Sequence, residues 1–412
     1  MRRIWLGIAG LAALAACAIF VLATSAAAGQ ATGGGPDKVL KTAKVGGPGG
    51  FDYVYADSVG RRLYVVRGGS GGPGGRGPGG QGATQPPPNG VVMAPVAGRL
   101  SVYDLDTLAL VGEIPNVNGG HGAAVDPKSG HGFVSSNPVV MFDTKTLAVI
   151  KRIDVQGGPD GILFDPFNAR VWIYSHRSPN ATVINAADGS IAGTMDFGGA
   201  PEQAVSDGNG KMYVDLEDKD QIAAVDTNTL KVTATYDVSG KCGGPGGLAF
   251  DVKNHVLFAS CHNPANMVIL SSEDGKILDA LPIGMGTDGA TFDPKTMEAF
   301  SSNGDGTLTI IKENSPTSFV VEQNLATMTG AKTLTLDSKT NHIVLIAAEY
   351  LPLPPPDANG PGGAPPAGGP PTGTPPGGAP PAGGGPEGRG RGGRGPRRQM
   401  VPDSFTILVV GR

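Results

Sequence analysis

The sequence predicts an all-β protein, a seven-bladed β-propeller whose ring is closed by pairing an N-terminal strand with the C-terminal blade. The first observation is a repeated aspartate that ends a short β-rich run and recurs every 39 to 44 residues, at Asp126, Asp165, Asp207, Asp251, Asp293 and Asp337. The second is that each repeat holds four β-rich runs, and repeats of about 40–50 residues with four strands are typical of propeller blades. An earlier copy, Asp57, is separated from Asp126 by a Gly/Pro-rich insertion.

Residues 157–197 show one repeat in full. A Gly-Pro turn precedes an alternating run that ends at Asp165, and a second run follows at Val171–Tyr174. A third run comes before the Asp188-Gly189 turn, and a fourth run ends near Phe197. Turns of this kind join antiparallel strands into a meander. A single four-stranded sheet leaves its faces uncovered, so we expect neighbouring repeats to pack on both sides.

The remaining blades are placed by the same pattern. Blade 1 begins near residue 51 and ends near residue 114, and blade 7 begins near residue 332. The blades between them are expected at 118–156, 157–197, 199–239, 241–283 and 285–328. The run Lys38–Val45 precedes a Gly-Gly-Pro turn that elsewhere follows the last strand of a blade. We therefore predict that it pairs with Ser404–Val410 in blade 7, so that residues 38–412 form one ring.

Two Gly/Pro-rich insertions interrupt blades 1 and 7, at 68–98 and 351–402. Their composition cannot build a core, so both are predicted to be disordered loops. Each falls between the second and third strands of its blade, on the face that carries the blade-to-blade turns. Tolerated loop growth is one interpretation of these insertions, and a partner or surface tether is the other. The second insertion contains five arginines, which would suit contact with an anionic envelope polymer. A net charge of −4 gives no reason to expect nucleic acid as a partner.

The first 28 residues resemble an export signal, followed by a linker at 29–37. Arg2 and Arg3 precede a long apolar run, and Ser25-Ala26-Ala27-Ala28 offers a small-residue cleavage site. We expect a periplasmic or secreted protein. An uncleaved membrane anchor, or lipidation at Cys17, are the alternatives.

Export leaves Cys242 and Cys261, and an even cysteine number in an exported chain permits a disulfide. Cys242 precedes the first strand of its blade and Cys261 ends the second, so both are expected at the same end of one hairpin. Two free thiols or a two-cysteine metal site are the alternatives.

The repeat resembles the YVTN-type, YncE-like seven-bladed propellers of the bacterial envelope. The likeness lies in the Gly-x-Pro turn, the Asp-Pro ending, the β-rich second strand and the Asp-Thr-x-Thr turn, and it covers residues 38–412 apart from the insertions. This resemblance implies a binding scaffold with no common reaction. Fold alone does not establish function.

The candidate site residues lie in the blade-to-blade turns, which propellers usually present to ligands. We expect equivalent turn positions to ring the mouth of the central channel, with His121, Asp160, Glu202 and Asp288 as the charged or titratable members. Gly49, a position close to Gly246, and Lys332 are the counterparts in blades 1, 5 and 7. His176 and His262 follow second strands, so they belong to the same face but further out.

Three interpretations of these residues remain open. They stabilise turns, they bind a polar or cationic ligand, or they form a metal-dependent hydrolase, lactonase or dehydrogenase-like site. Oxygen ligands from Asp160, Glu202 and Asp288 would suit a divalent cation, but no spacing requires a metal or a cofactor. A serine-hydrolase elbow and a phosphate-binding loop are absent from the sequence.

We therefore predict a non-enzymatic binding scaffold that recognises a partner protein, an envelope polymer or a small ligand on the turn-rich face. A metal-dependent enzyme and a purely structural envelope protein are the alternatives.

Overall fold

The computed structural model describes residues 34–69, 96–176, 178, 180–352 and 400–412. The predicted export signal, with Cys17, and the central parts of both insertions lie outside these residues. Within the described ranges no helix has the length and apolar character needed to cross a membrane. One short 3-10 helix, Glu217–Lys219, follows a strand of blade 4.

The described chain contains 28 strands, numbered in chain order. Blade 7 consists of the last three strands and the first, β26, β27, β28 and β1. The strands are β1 Lys38–Lys44; β2 Phe51–Asp57, β3 Arg62–Arg67, β4 Arg99–Asp104, β5 Leu110–Pro115; β6 Ala123–Asp126, β7 His131–Val134, β8 Val139–Asp143, β9 Val149–Ile153; β10 Pro159–Asp165, β11 Arg170–Ser175, β12 Asn180–Asn185, β13 Ile191–Asp196; β14 Pro201–Ser206, β15 Lys211–Leu216, β16 Gln221–Asp226, β17 Lys231–Asp237; β18 Pro245–Asp251, β19 Val256–Cys261, β20 Asn266–Ser271, β21 Ile277–Pro282; β22 Thr287–Asp293, β23 Glu298–Asn303, β24 Thr307–Ser315, β25 Ser318–Ala326; β26 Leu334–Asp337, β27 His342–Ala347 and β28 Thr406–Gly411.

These strands form seven four-stranded antiparallel sheets, one per blade, as the sequence predicted. Six sheets use four consecutive strands. The seventh has the order β1-β28-β27-β26, so the N-terminal strand is the outer strand of the last blade. Lys44 pairs with Thr406, and Val39 pairs with Val410. The predicted closure of the ring by both ends of the propeller is confirmed.

Seven apolar cores hold the ring together, and each lies between two neighbouring blades. The core between blades 7 and 1 packs Phe51 and Leu63 against Ile346 and Phe405. Arg67 is fully buried there, with its guanidinium 3.8 Å from the centre of the Phe405 ring. It donates hydrogen bonds to all four backbone carbonyls of the 46–49 turn that joins β1 to blade 1. The closing interface therefore has an apolar core of its own, and a buried arginine bonds it to the closing turn.

The repeated aspartate has a structural role. Its side chain accepts a hydrogen bond from the backbone N–H two residues later, as at Asp126, Asp165 and Asp251. This arrangement stabilises a turn between the first and second strands. The aspartates thus occupy the face opposite to the blade-to-blade turns.

The innermost strands surround a central cavity of about 380 Å³. All seven blades contribute to its lining. Most of the residues that line it are apolar or aromatic, including Tyr55, Phe164, Phe250 and Phe292, although polar atoms make up about half of the exposed wall. Polar side chains gather at one end of the channel, where the blade-to-blade turns lie.

Candidate functional site

The blade-to-blade turns place one residue from each blade around the end of the channel, a region called the mouth below. Each of these residues lies five positions before the repeated aspartate of its blade. They are Asp52, His121, Asp160, Glu202, Gly246, Asp288 and Lys332. In blade 1 the residue at this position is Asp52 rather than Gly49, the counterpart expected from the sequence. The other expected positions are found in this set.

Glycines directly after several of these residues allow the inner strands to approach closely. A Cβ atom on Gly161 would lie 2.3 Å from the backbone oxygen of Glu202 in the next blade. A Cβ on Gly247 would lie 2.7 Å from the backbone carbon of Gly289. Side chains at these positions would push the blades apart. The mouth is therefore narrow, and side chains from different blades meet across it.

On one side of the mouth a histidine lies between two carboxylates. Nδ1 of His121 lies 2.7 Å from Asp52 Oδ2 and 3.2 Å from Asp160 Oδ1. The three residues come from blades 1, 2 and 3. The backbone supports the arrangement, since Tyr53 N–H donates to the His121 carbonyl.

A second histidine, His176, also lies close to Asp160. Nδ1 of His176 lies 2.8 Å from Glu202 Oε2, and the Tyr53 hydroxyl donates to the other oxygen of Glu202. Nε2 of His176 lies 3.3 Å from Glu217 Oε2. Glu202 therefore links blade 4 to blades 1 and 3 across the channel.

Both histidines belong to compact sets of possible metal ligands. Asp52, His121 and Asp160 form one set, and Asp160, His176 and Glu202 form the other. In each set the ligand atoms lie within 4.8 Å of one another. Asp160 is common to both. We call these five residues the histidine side of the mouth.

On the opposite side of the mouth, a lysine rather than a histidine pairs with the carboxylates. Lys332 Nζ contacts Asp288 Oδ2 directly and lies 3.8 Å from Asp52 Oδ1. Asp288 N–H also donates to the Lys332 carbonyl. Asp288 therefore does not join Asp160 and Glu202 in one oxygen-ligand set, as the sequence had suggested it could. We call Asp288 and Lys332 the lysine side.

Burial and crowding shift the pKa values of these groups. Burial raises the pKa of Asp160 to about 7; the His121 charge opposes the rise, and the Glu202 and Asp52 charges add to it. Burial also raises the pKa of Asp288 to about 7, against the effect of Lys332. The close contact with Glu202 raises the pKa of His176 to about 9. For His121, burial disfavours the charge, but Asp52 and Asp160 outweigh it and raise the pKa.

A row of three side chains extends the histidine side outward, beginning at His176. His176, Glu217 and His262 each follow the second strand of their blades, in blades 3, 4 and 5. Glu217 lies between the two histidines, with His262 Nε2 3.7 Å from its Oε1. His176 and His262 were expected on this face from the sequence, and Glu217 was missed although it occupies the same position.

Blade 5 has no side chain at its inner position, and His262 fills that place. A Cβ atom on Gly246 would lie 2.8 Å from His262 Nε2. The residue before His262 is Cys261, which forms the predicted disulfide with Cys242, with 5.3 Å between their Cα atoms. The disulfide therefore links the residue before His262 to the chain segment that precedes β18.

Comparisons with known proteins show the fold alone. No protein-family profile matches this chain, and no curated protein sequence matches it. The chain is similar in structure to the WD40 repeats of RRP9, with 8% identity, a TM-score of 0.59, and coverage of 77% of this chain and 91% of that one. A chain of the mitotic checkpoint complex gives 9% identity and a TM-score of 0.59 over 84% of this chain and 95% of that one. The structure of U3-55K gives 8% identity and a TM-score of 0.57 over 75% and 90%. The β-propeller fold is thus shown, and membership of the YVTN-type family stays a prediction.

Proposed function

We propose that this protein is an exported, non-enzymatic binding protein whose mouth recognises a positively charged group presented by a partner protein. The observation that carries this proposal is the number of carboxylate groups at the mouth. Five carboxylates converge there, and the described residues that face them include one lysine and three histidines. The carboxylates are Asp52, Asp160, Glu202, Glu217 and Asp288.

The arrangement favours a charged ligand because the site is formed in advance. The carboxylates come from different blades, and inter-blade packing fixes the strands that carry them. A preformed site spends little conformational entropy on binding. The partly buried setting also strengthens the attraction for a cation compared with an open surface. A lysine or arginine side chain of a partner would fit this chemistry.

Export is supported by two features. The N-terminal residues have the pattern of a secretory signal. The Cys242–Cys261 disulfide suits an oxidising compartment, where such bonds persist. A binding role also agrees with the structural neighbours, one of which is described as part of a complex.

The test uses basic and acidic peptides of equal length, with chelator present so that metal ions play no part. We expect the basic peptide alone to bind, and to bind more weakly as salt rises. The double variant Asp160→Asn, Glu202→Gln should weaken binding at least tenfold. A matched control, Asp188→Asn with Glu273→Gln, alters turns on the opposite face and should leave binding unchanged. Equal binding of the two peptides would contradict the proposal.

A metal-dependent hydrolase is the second candidate, because both ligand sets contain histidine and carboxylates. Its test is a panel of lactones and esters with added divalent metals. Turnover that is lost in Glu202→Ala would replace the non-enzymatic proposal. A purely structural role would be favoured if no ligand, peptide or substrate responds to changes at the mouth.

A further inference from the structure

We infer that the histidine side of the mouth is a paired site for two divalent transition-metal ions, with Asp160 as the ligand that both ions share. One ion is held by Asp52, His121 and Asp160, and the other by Asp160, His176 and Glu202. This inference does not depend on the proposed partner binding, because it concerns the free protein.

The spacing of the first set suits a small dication. In a tetrahedral zinc site with bonds of 2.0–2.1 Å, neighbouring ligand atoms lie roughly 3.3 Å apart. His121 Nδ1 lies 2.7 Å from one carboxylate oxygen and 3.2 Å from the other. Small side-chain rotations would therefore admit an ion. In the metal-free protein Nδ1 of His121 is hydrogen-bonded to Asp52, and an ion bound at Nδ1 would take the place of that proton between the two carboxylates.

In the second set, one buried ring nitrogen has no hydrogen-bond partner among the described residues. Nδ1 of His176 is buried and lies 2.8 Å from Glu202 Oε2, yet the contact lacks the alignment of a hydrogen bond. Buried polar atoms normally have such a partner, and exceptions call for an explanation such as an ion. A metal at this nitrogen would meet that requirement, with Glu202 and Asp160 as the other ligands.

The surrounding contacts hold the ligands in place. The Tyr53 hydroxyl donates to the Glu202 oxygen that faces away from His176, and Glu217 lies against the second nitrogen of His176. Metal-bound histidines and carboxylates commonly have such partners, which fix their orientation. Asp160 has two carboxylate oxygens, and a bridging carboxylate is suited to ions about 3.5–4 Å apart.

The ligand types indicate the class of metal. Imidazole nitrogen with carboxylate oxygen suits zinc and neighbouring first-row ions. Calcium and magnesium prefer sites made of oxygen ligands alone. The lysine side is unsuitable, because the Lys332 ammonium already occupies the place beside Asp288.

The experiment is calorimetric titration of the metal-free, full-length protein with Zn²⁺, without any peptide. We expect two Zn²⁺ ions per chain. His121→Gln and His176→Gln should each remove one ion, and Asp160→Asn should weaken both at least a hundredfold. Mg²⁺ should not compete. His255→Asn is the matched control on the opposite face, where asparagine tolerates the positive φ of 58° at that position; it should bind two ions.

Two further measurements distinguish the loss of a metal ligand from misfolding of a variant. The thermal midpoint of each variant is recorded without metal, and the visible spectrum of bound Co²⁺ reports nitrogen and oxygen ligands directly. Unchanged Zn²⁺ binding by a folded Asp160→Asn variant would overturn the inference. A saturating stoichiometry of one would overturn the paired arrangement. Peptide binding in chelator, described above, can succeed or fail independently of both results.

Discussion

Asp160 and Asp288 occupy the same position in blades 3 and 6, and burial raises the pKa of each to about 7. Their partners differ. Asp160 faces two histidines, whereas Asp288 contacts the ammonium group of Lys332. Lysine carries a permanent charge at neutral pH and accepts no metal while charged, but imidazole exchanges a proton for a metal ion. The same propeller position is thus a closed ion pair on one side of the mouth and an exchangeable ligand site on the other.

The two sides of the mouth are also stabilised by different contacts. The disulfide lies next to His262, at the border of the histidine side. The lysine side is held by the ion pair itself and by Asp288 N–H donating to the Lys332 carbonyl. Four changes should distinguish the two sides.

The largest effect is expected from removing the disulfide by Cys242→Ser with Cys261→Ser. The bond joins positions 19 residues apart, and the loop-entropy model gives about 3 kcal/mol of lost stability. Urea unfolding would measure the loss. NMR signals of His262 and His176 should shift, while those of Lys332 should not. Equal shifts of the NMR signals on both sides would contradict the claim that the disulfide supports only the histidine side.

The next effect is expected for Lys332→Met, which leaves Asp288 and Asp52 without their lysine. Breaking a buried ion pair costs several kcal/mol, and the partial exposure of Lys332 reduces this to about 2 kcal/mol. Chemical denaturation at pH 8 gives the value, and Lys332→Arg is the control that keeps the charge. A loss at pH 8 smaller than that of His176→Gln would reverse the order of the two sides.

His176→Gln should show a pH-dependent effect in metal-free protein. Because the folded pKa of His176 is raised to about 9, its charged form stabilises the fold fully below the unfolded value near 6.5. That contribution is lost as the pH rises toward 9. Allowing for its partial exposure, the difference in unfolding free energy from wild type should fall from about 1 to 2 kcal/mol at pH 6 to near zero at pH 9.5. A difference that grows with pH would show that the histidine is neutral when folded.

The smallest effect is expected for Gly246→Ala, which adds a methyl group 2.8 Å from His262 Nε2. The imidazole can rotate away, so the loss of stability should stay below about 0.5 kcal/mol. The NMR signals of His262 should nevertheless move. Gly158→Ala is the matched control, because its Cβ would meet nothing within 4 Å. Similar shifts in the two variants would show that Gly246 makes no special room for His262.

The repeat pattern predicted the blades and the closing strand, and together with the even number of cysteines it predicted the disulfide. The aspartate that marks each repeat caps a turn, so its spacing reports blade length directly. Asp52 was missed because the Gly-Pro turn at 46–49 was used to align blade 1. Counting five residues back from Asp57, as in the other blades, gives Asp52.

Other parts of the mouth depend on contacts that a repeat cannot express. Tyr53 lies in an inner strand, where an aromatic residue is expected to fill the core, and its bond to Glu202 spans the channel from blade 1 to blade 4. Pairing of Asp160 with histidine and of Asp288 with lysine likewise depends on which side chains meet across the ring. Glu217 could have been predicted from the sequence, since it directly follows a second strand, as His176 and His262 do.

The pairing of β1 with β28 has a consequence for the order of events when this protein is made. β1 emerges from the ribosome before the other described strands, yet its hydrogen-bonding partner β28 is the last of those strands to be translated. Until then, blades 1 and 7 each present an apolar surface that the finished molecule conceals. Long-range strand pairing of this kind is slow and exposes nascent chains to aggregation. Newly made copies should therefore need shielding by a chaperone until translation has passed Gly411.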